Sequence, residues 1–286
     1  MEHEIKKKLN FVFWGTPDVA AETLQILKQN GYIPSLVVTS PDAKRGRGLH
    51  LEVSPVANFA EQNNISCLKP EKLSGEEINN ILEASSQTDF FLVVAYGKII
   101  PEQIIQTPRL GSINIHYSLL PKYRGASPVE SAILNGETET GVTIQKMAFK
   151  MDSGPIIAKE KVSIAPDEKA PELRSRLIKI GGELLIKILP ELAEGKIKET
   201  SQDESNATFC KKIKKENGLI DLDGDAVTNY NKFRAYAFWP RIFFFKNNKR
   251  IIITDAILEG NKFIIKKVLP EGKREIKYEE FLKTNI

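Results

Sequence analysis

The chain has 286 residues, 41% of them hydrophobic, enough apolar material for one large domain and a smaller one beside it. Its two cysteines, Cys67 and Cys210, stand in no metal-binding or redox spacing, which excludes a disulfide framework and a cysteine zinc site and points to a reducing, cytoplasmic setting. The net charge of +4 is carried unevenly: residues 1–207 hold 24 Lys/Arg against 27 Asp/Glu and residues 208–286 hold 17 against 10, which is −3 and +7. A surplus of that kind in a small domain suits a polyanion partner, although a lysine-rich solubilising surface reads the same way.

In chain order, the apolar run of "MEHEIKKKLNFVFWGTPD" is too short for a signal peptide or a membrane span and reads as a first strand. A helix from about Val19 to Gln29, stopped by Gly31, and the strand "IPSLVVTS" complete a βαβ unit. Next come a helix opening at Ser54 and Pro55, the short "ISCLKP", a helix around "EEINNILEAS", the buried-type strand "DFFLVVAY" and then "SINIH". This alternation predicts an α/β fold with a doubly wound, mostly parallel sheet and helices on both faces. "TGVTIQKM" and "GPIIAKEKVSI" read as antiparallel additions, followed by a helix from about Pro171 that Pro190 should kink or end. The polar "KIKETSQDESNATF" reads as a linker, and from Lys211 onward short β-rich runs predict a small barrel or sandwich. The expected organisation is an α/β domain over 1–195, a linker over 196–207 and a basic β-domain over 208–286.

The turn after the first strand, "GTPD", lacks the G-x-G-x-x-G spacing that brings a pyrophosphate to a helix N-terminus, so the predicted sheet does not imply a nicotinamide cofactor. The informative stretch is "SINIHYSLLPKYRGASPVE". Residues two apart in a strand share a face, so Asn114 and His116 project one way while Ile113 and Ile115 pack the other. Downstream, Ser127, Pro128 and Glu130 match an N-cap, a first-turn proline and a capping-box glutamate. Of the three histidines, His3, His50 and His116, only the last lies in a strongly apolar pattern; a core histidine bonded to backbone is an equal reading of it. Asp152, in "KMDSGPII", adds a carboxylate, though taken alone it reads as a turn residue. Together the three suit acyl-type transfer: the carboxylate fixes and charges the imidazole, and the amide donates to a developing oxyanion.

With these residues in view, "INIHYSLLPKYRGASP" and "MDSG" resemble the formyltransferases that take their one-carbon unit from 10-formyltetrahydrofolate, and "VVAYGKIIP" is similar to their folate-site loop. "FWGTPD", "SPDAKRGRGLHLEVSPV" and "FRAYAFWPR" resemble the branch that formylates methionine on initiator methionyl-tRNA for translation initiation. The resemblance covers nearly the whole chain. It implies a Rossmann-type formyltransferase fold followed by an OB-like barrel, with Asn114, His116 and Asp152 as the catalytic trio. It further implies a folate-contacting turn at Ser118, Leu119, Leu120 and Pro121, and a pterin pocket lined by backbone around Tyr96 and Gly97. Lys44, Arg45 and Arg47, set among Gly46 and Gly48, form a cationic arm for the tRNA acceptor stem, with Arg47 aligned to the family's arginine. A mobile arm without function is the bland reading. Arg234 and Arg241 are further candidates for tRNA, flanking Tyr236, Phe238 and Trp239, which read as packing residues. No metal, membrane or obligatory protein partner is implied. Three departures stand out: Lys150 beside the catalytic loop, Tyr117 in place of a small residue, and a short tract between Ala256 and Pro270. Two rivals remain. A family member acting on a nucleotide-linked amino sugar would keep the trio but need neither arm nor basic tail, and a binding protein without catalysis would not need the trio.

Overall fold

The computed structural model describes residues 9–45 and 50–283. Two compact units emerge, the first made of Met1–Arg124, Gly141–Lys161 and Arg176–Ala207, the second of Gly125–Thr140, Val162–Ser175 and Thr208–Ile286. The last of these divisions falls between Ala207 and Thr208, and two earlier stretches group with the tail. No helix among the described residues is long and apolar enough to cross a membrane.

The elements in chain order begin with β1 (Phe11–Gly15), α1 (Asp18–Gln29), β2 (Leu36–Val38), β3 (Ala43–Arg45), β4 (His50–Glu52), α2 (Pro55–Gln62) and β5 (Ser66–Leu68). There follow α3 (Glu76–Ala84), β6 (Phe90–Val94), α4 (Glu102–Ile105), β7 (Ser112–His116), β8 (Arg124–Gly125), α5 (Pro128–Leu134), β9 (Glu139–Lys146) and β10 (Ile156–Ser163). The rest are α6 (Ala170–Ala193), β11 (Phe209–Cys210), α7 (Ala226–Ala235), β12 (Phe243–Lys246), β13 (Lys249–Glu259), β14 (Lys262–Pro270), β15 (Ile276–Lys277) and α8 (Tyr278–Leu282).

The first unit is built on a seven-stranded sheet in the order β10-β9-β7-β6-β1-β2-β5. β1 pairs parallel with β2 and β6, β2 with β5, and β6 with β7, while β9 joins β7 antiparallel. β1 and β6 are buried along their whole length, as expected of strands covered on both faces. One face seats Val12, Trp14, Phe91 and Val93 against Ile78 and Ile81 of α3 and Ile104 and Ile105 of α4. On the other, Gly181 of α6 lies so close to Ile115 and Val142 that an added Cβ would be 3.2 Å from the former. The sheet is therefore doubly wound, and the C-terminal ends of β1, β2, β6 and β7 share one edge.

Local chemistry explains most boundaries. Gly31 closes α1 at φ +83°, and Ser54 caps α2 by accepting the amide of Ala57 at 3.0 Å. Three expectations need correction. The Ser127 side chain makes no cap bond, and the capping box does not close, since the Ser127 amide donates to Sγ of Cys210 at 3.4 Å and Glu130 is engaged by Arg174. α6 runs through Pro190 and ends one turn later, since a proline so near the end removes a single backbone bond, offset by burial of Leu185, Leu189 and Leu192. Residues expected to form a free linker fold into the first unit, where Thr200 and Ile156 exchange backbone bonds of 2.9 and 2.8 Å.

In the second unit the β-rich tail is an antiparallel four-stranded sheet in the order β12-β13-β14-β15. Its core includes Phe243, Phe244, Ile251, Ile253, Val268 and Phe281. The short tract from Ala256 to Pro270 is the β13–β14 ribbon, turned at Gly260 with φ +58°.

Candidate functional site

β7 delivers Asn114 and His116 to the C-terminal edge of the parallel strands, where open α/β sheets place their ligands, on the face shared with Val93 of β6 and Gln145 of β9, which stand opposite Asn114. His116 is buried, with Nε2 2.9 Å from the Tyr123 carbonyl and Nδ1 3.6 Å from Oδ2 of Asp152. Both ring nitrogens therefore face oxygen acceptors. Nε2–H is anchored on the carbonyl, whereas Nδ1 lies within ion-pairing range of the carboxylate but beyond a direct hydrogen bond. Nδ1 is thus the ring nitrogen left to act on a third group.

Asp152 reaches this position from the turn between β9 and β10. Its φ is +51°, a left-handed conformation that a non-glycine residue keeps only when its surroundings hold it. Ser153 donates from Oγ to the Lys150 carbonyl at 2.8 Å, and Gly154 lies so close to Lys146 that a Cβ would be 1.9 Å from its carbonyl oxygen. Gln145 donates from Nε2 to Oδ1 of Asp152 at 3.1 Å. Lys150, the unexpected charge, is turned to Glu204 at 2.9 Å and is largely exposed.

The turn after β7 is fastened from beneath. Thr143 donates from Oγ1 to the Ser118 carbonyl at 2.7 Å and accepts the Leu120 amide at 3.1 Å, and Ser118 Oγ donates to the Lys122 carbonyl at 2.6 Å. Lys159 donates to the Leu120 carbonyl at 2.7 Å, and desolvation by burial pushes its pKa down. The Leu120–Pro121 peptide is cis. Ser118 and Leu120 are buried, so the partly exposed Leu119 and Pro121 are the side chains this turn presents. Across the edge, the Tyr96 ring packs edge-on to Trp14 at 5.2 Å, and burial, with a smaller effect of Glu77, pushes its phenol up to about 12. The Tyr96 carbonyl accepts from Thr16 Oγ1 at 3.1 Å, while Gly97 is exposed at φ +83°. Of this segment Tyr96 is buried, and Ala95 and Gly97 are the exposed residues.

The cationic candidates separate. Arg47 lies outside the described residues, as do the side chains of Lys44 and Arg45, whose backbones form β3 opposite Leu51 and His50. Arg234 is buried, donating to Asn231 Oδ1 at 2.6 Å and lying over the Tyr230 ring at 5.5 Å; desolvation lowers its pKa. Its guanidinium is committed to the interior of the second unit, which leaves it no exposed surface to offer a phosphate. Arg241 is partly exposed at φ +63°. Tyr236 is buried as expected, but Phe238 and Trp239 are 79% and 50% exposed, contrary to the packing role read for them. Both border a cleft of about 260 Å³ shared with Lys212, Glu130 and Arg174.

Three residues near the trio escaped sequence reasoning. Gln145 did carry a signal: it interrupts an apolar strand as Asn114 does. Arg124 and Gln202 carried none, the one a base in a loop and the other a polar residue in an apparent linker. Arg124 is buried and bonded to Gln202 and Glu204; the Arg124 hydrogen bond, with a further one from Lys150, holds the Glu204 carboxyl down at about 2.

Comparison with known proteins places these observations. The formyl transferase family matches residues 7–189, and the formyl transferase C-terminal domain matches residues 212–264. The methionyl-tRNA formyltransferase of Thermotoga maritima is 44% identical over 228 residues, 80% of this chain and 72% of its own. Among solved structures, an N-formyltransferase from Helicobacter canadensis in complex with folinic acid and dTDP-3-aminofucose superposes with a TM-score of 0.64 at 19% identity, over 88% of this chain and 89% of its own. The methionyl-tRNA formyltransferase from Clostridium thermocellum gives 0.61 at 17% identity, over 94% and 99%. At those identities the two solved structures share the fold.

Proposed function

The chain belongs to the formyl transferase family, and from that premise we propose that it moves the formyl group of 10-formyltetrahydrofolate onto the α-amino group of methionine carried by initiator methionyl-tRNA. The observation that carries the reading is the seat of His116, anchored at Nε2 and facing a carboxylate at Nδ1. In the proposed step the amine attacks the formyl carbon and the carbonyl electron pair moves onto oxygen. The amide of Asn114 would meet that oxyanion, with the His116 ring held beside it between the Tyr123 carbonyl and the Asp152 carboxylate. The amine proton would pass toward Asp152. Collapse breaks the bond between the formyl carbon and the folate nitrogen, which takes up a proton. The folate would lie along the segment from Ala95 to Gly97 and the turn presenting Leu119 and Pro121.

Support for tRNA over a nucleotide-linked amino sugar comes from the arm with Lys44, Arg45 and Arg47 and from the +7 tail, neither of which a small substrate needs. Lys212 and Arg241 replace Arg234 as tail candidates. Such an enzyme would act in the cytoplasm. The test is transfer of labelled formyl from 10-formyltetrahydrofolate to methionyl initiator tRNA or to dTDP-linked amino sugars. Transfer to the tRNA is expected; preference for the sugar would reject the substrate, and no transfer to either would reject the reaction.

A further inference from the structure

We propose that Gln202, backed by Arg124, is a positioning residue that clasps His116 and Asp152 into one reactive geometry, an inference that rests on the reaction proposed above. The contacts form a closed circuit. From His116, Nε2 meets the Tyr123 carbonyl at 2.9 Å, and the next residue is Arg124. Arg124 donates from Nε and Nη2 to Gln202 Oε1 at 3.1 and 2.8 Å. Gln202 Nε2 faces the carbonyls of Gly154 and Asp152 at 2.7 and 2.9 Å and Oε1 of Gln145 at 3.2 Å. Gln145 then donates to Oδ1 of Asp152 at 3.1 Å, and Oδ2 of Asp152 returns to His116 Nδ1 at 3.6 Å.

The direction of every donor in this circuit is forced. A guanidinium has no acceptor, so it faces the oxygen of Gln202; carbonyls have no donor, so they face its nitrogen. The two hydrogens of the Gln202 amide go to its two shortest contacts, so the donors run one way, from the buried Arg124 cation through Gln202 to the main chain of the Asp152 turn, an order in which successive bonds polarise one another. The grip also falls on a turn held in a left-handed conformation. Asp152 sits at φ +51°, and Gln202 holds the carbonyls of that residue and of Gly154 two positions on.

Gln202 is itself fixed on both sides. Thr200 is bonded to Ile156 through backbone in both directions, and Glu204 takes Nη1 and Nη2 of Arg124 at 3.1 and 2.6 Å. A side chain needed only to fill space here would not present two donors to the main chain of the catalytic turn and one oxygen to a buried cation. The segment read as a linker is, on this account, the catch of the active site.

The test compares Gln202→Leu, which removes every bond of that side chain, with Gln202→Glu, which keeps an oxygen for Arg124 but offers the turn no donor, alone and combined with Asp152→Asn. Each is assayed for kcat and KM with methionyl initiator tRNA and 10-formyltetrahydrofolate. Both single variants are expected to lower kcat about 10–100-fold, the cost of displacing a reacting group by roughly 1 Å, with both KM values within about twofold of wild type. Combined with Asp152→Asn, either should cost less than about threefold more, because residues acting through one group are not additive. Multiplicative losses in the double variants, a change confined to KM, or unchanged kcat would each overturn the clasp. Should Gln202→Leu not fold, Gln202→Glu decides alone. A second readout needs no turnover: the ring ¹⁵N signals of His116, assigned with His116→Asn, should move in Gln202→Glu, and unmoved signals would overturn the proposal. If the wild type transfers no formyl to methionyl-tRNA, the reaction fails, and the ring signals still judge the clasp.

Discussion

Around His116 the polar side chains of Ser118, Thr143 and Gln145 are buried and hydrogen-bonded, whereas residues 208–286 carry 17 Lys/Arg against 10 Asp/Glu, many on exposed side chains such as Lys249, Lys262 and Lys266. One region spends its sequence on geometry: Thr143, Gln145 and Ser118 each fasten a particular backbone or side-chain atom. The other spends it on charge. Reaction at a formyl carbon loses rate with small displacements, so its groups must be held. Capture of a phosphate chain depends on the number of cations more than on the placement of any one. The difference teaches where substitutions should be steep and where shallow.

The steep side breaks first at the trio. Asn114→Ala or Asp152→Ala should lower single-turnover formyl transfer by about 10²–10⁴-fold, the usual loss for an oxyanion donor or a positioned acid–base group. Affinity for tRNA, measured by filter binding, should stay near wild type; a parallel fall in affinity would merge the two regions into one. Next is Gly154→Ala, which asks nothing of chemistry and only shifts backbone. Its Cβ would be 1.9 Å from the Lys146 carbonyl oxygen, so the turn bearing Asp152 must move, with an expected loss of about 10–100-fold in kcat. Unchanged kcat would show that the turn tolerates displacement.

These effects bear on how far the molecule could be read without coordinates. Strands such as Phe11–Gly15 and Phe90–Val94 were legible because continuous apolar runs bounded by turns have few other homes. Asn114 and His116 were legible because polar residues at alternate positions of such a strand must share a face. Gln202 was not, since its role depends on a chain path that brings it to Asp152 across 50 positions of sequence, and a polar segment looks alike whether solvated or bonded. The burial of Arg234 and the exposure of Phe238 and Trp239 were likewise opaque, being set by which side of α7 and its following turn meets the second unit's core. Pattern reports periodicity; it does not report partners.

The shallow side is tested by charge. Arg47→Ala should raise KM for methionyl-tRNA about tenfold at low salt, with kcat near wild type, as expected of a phosphate or base contact worth one good hydrogen-bonded pair. Lys249→Gln and Lys266→Gln should each weaken tRNA binding only about twofold. If either lysine neutralises a phosphate, its loss should reduce the slope of log affinity against log salt by about 1. Identical salt slopes in wild type and all three variants would make the positive surplus a solubility device, the alternative reading of the tail.

The smallest effect lies where the two designs meet in one ion pair. Glu204 is exposed, yet its partner Arg124 is fully buried, and the Arg124 hydrogen bond, followed by that from Lys150, holds its carboxyl at about 2 against an ordinary 4.5. Because the folded value is the lower one, the pair contributes stability in full above about pH 4.5, and that contribution is lost as pH falls toward about 2. Thermal midpoints of wild type and Glu204→Gln should therefore differ by a constant amount at neutral pH and converge in acid. The gap should be modest and narrow further with salt, since the carboxylate side of the pair faces water. A gap independent of pH would mean that Glu204 supports Arg124 by hydrogen bonding alone, and the charge of that carboxylate would then be incidental to the circuit that ends at His116.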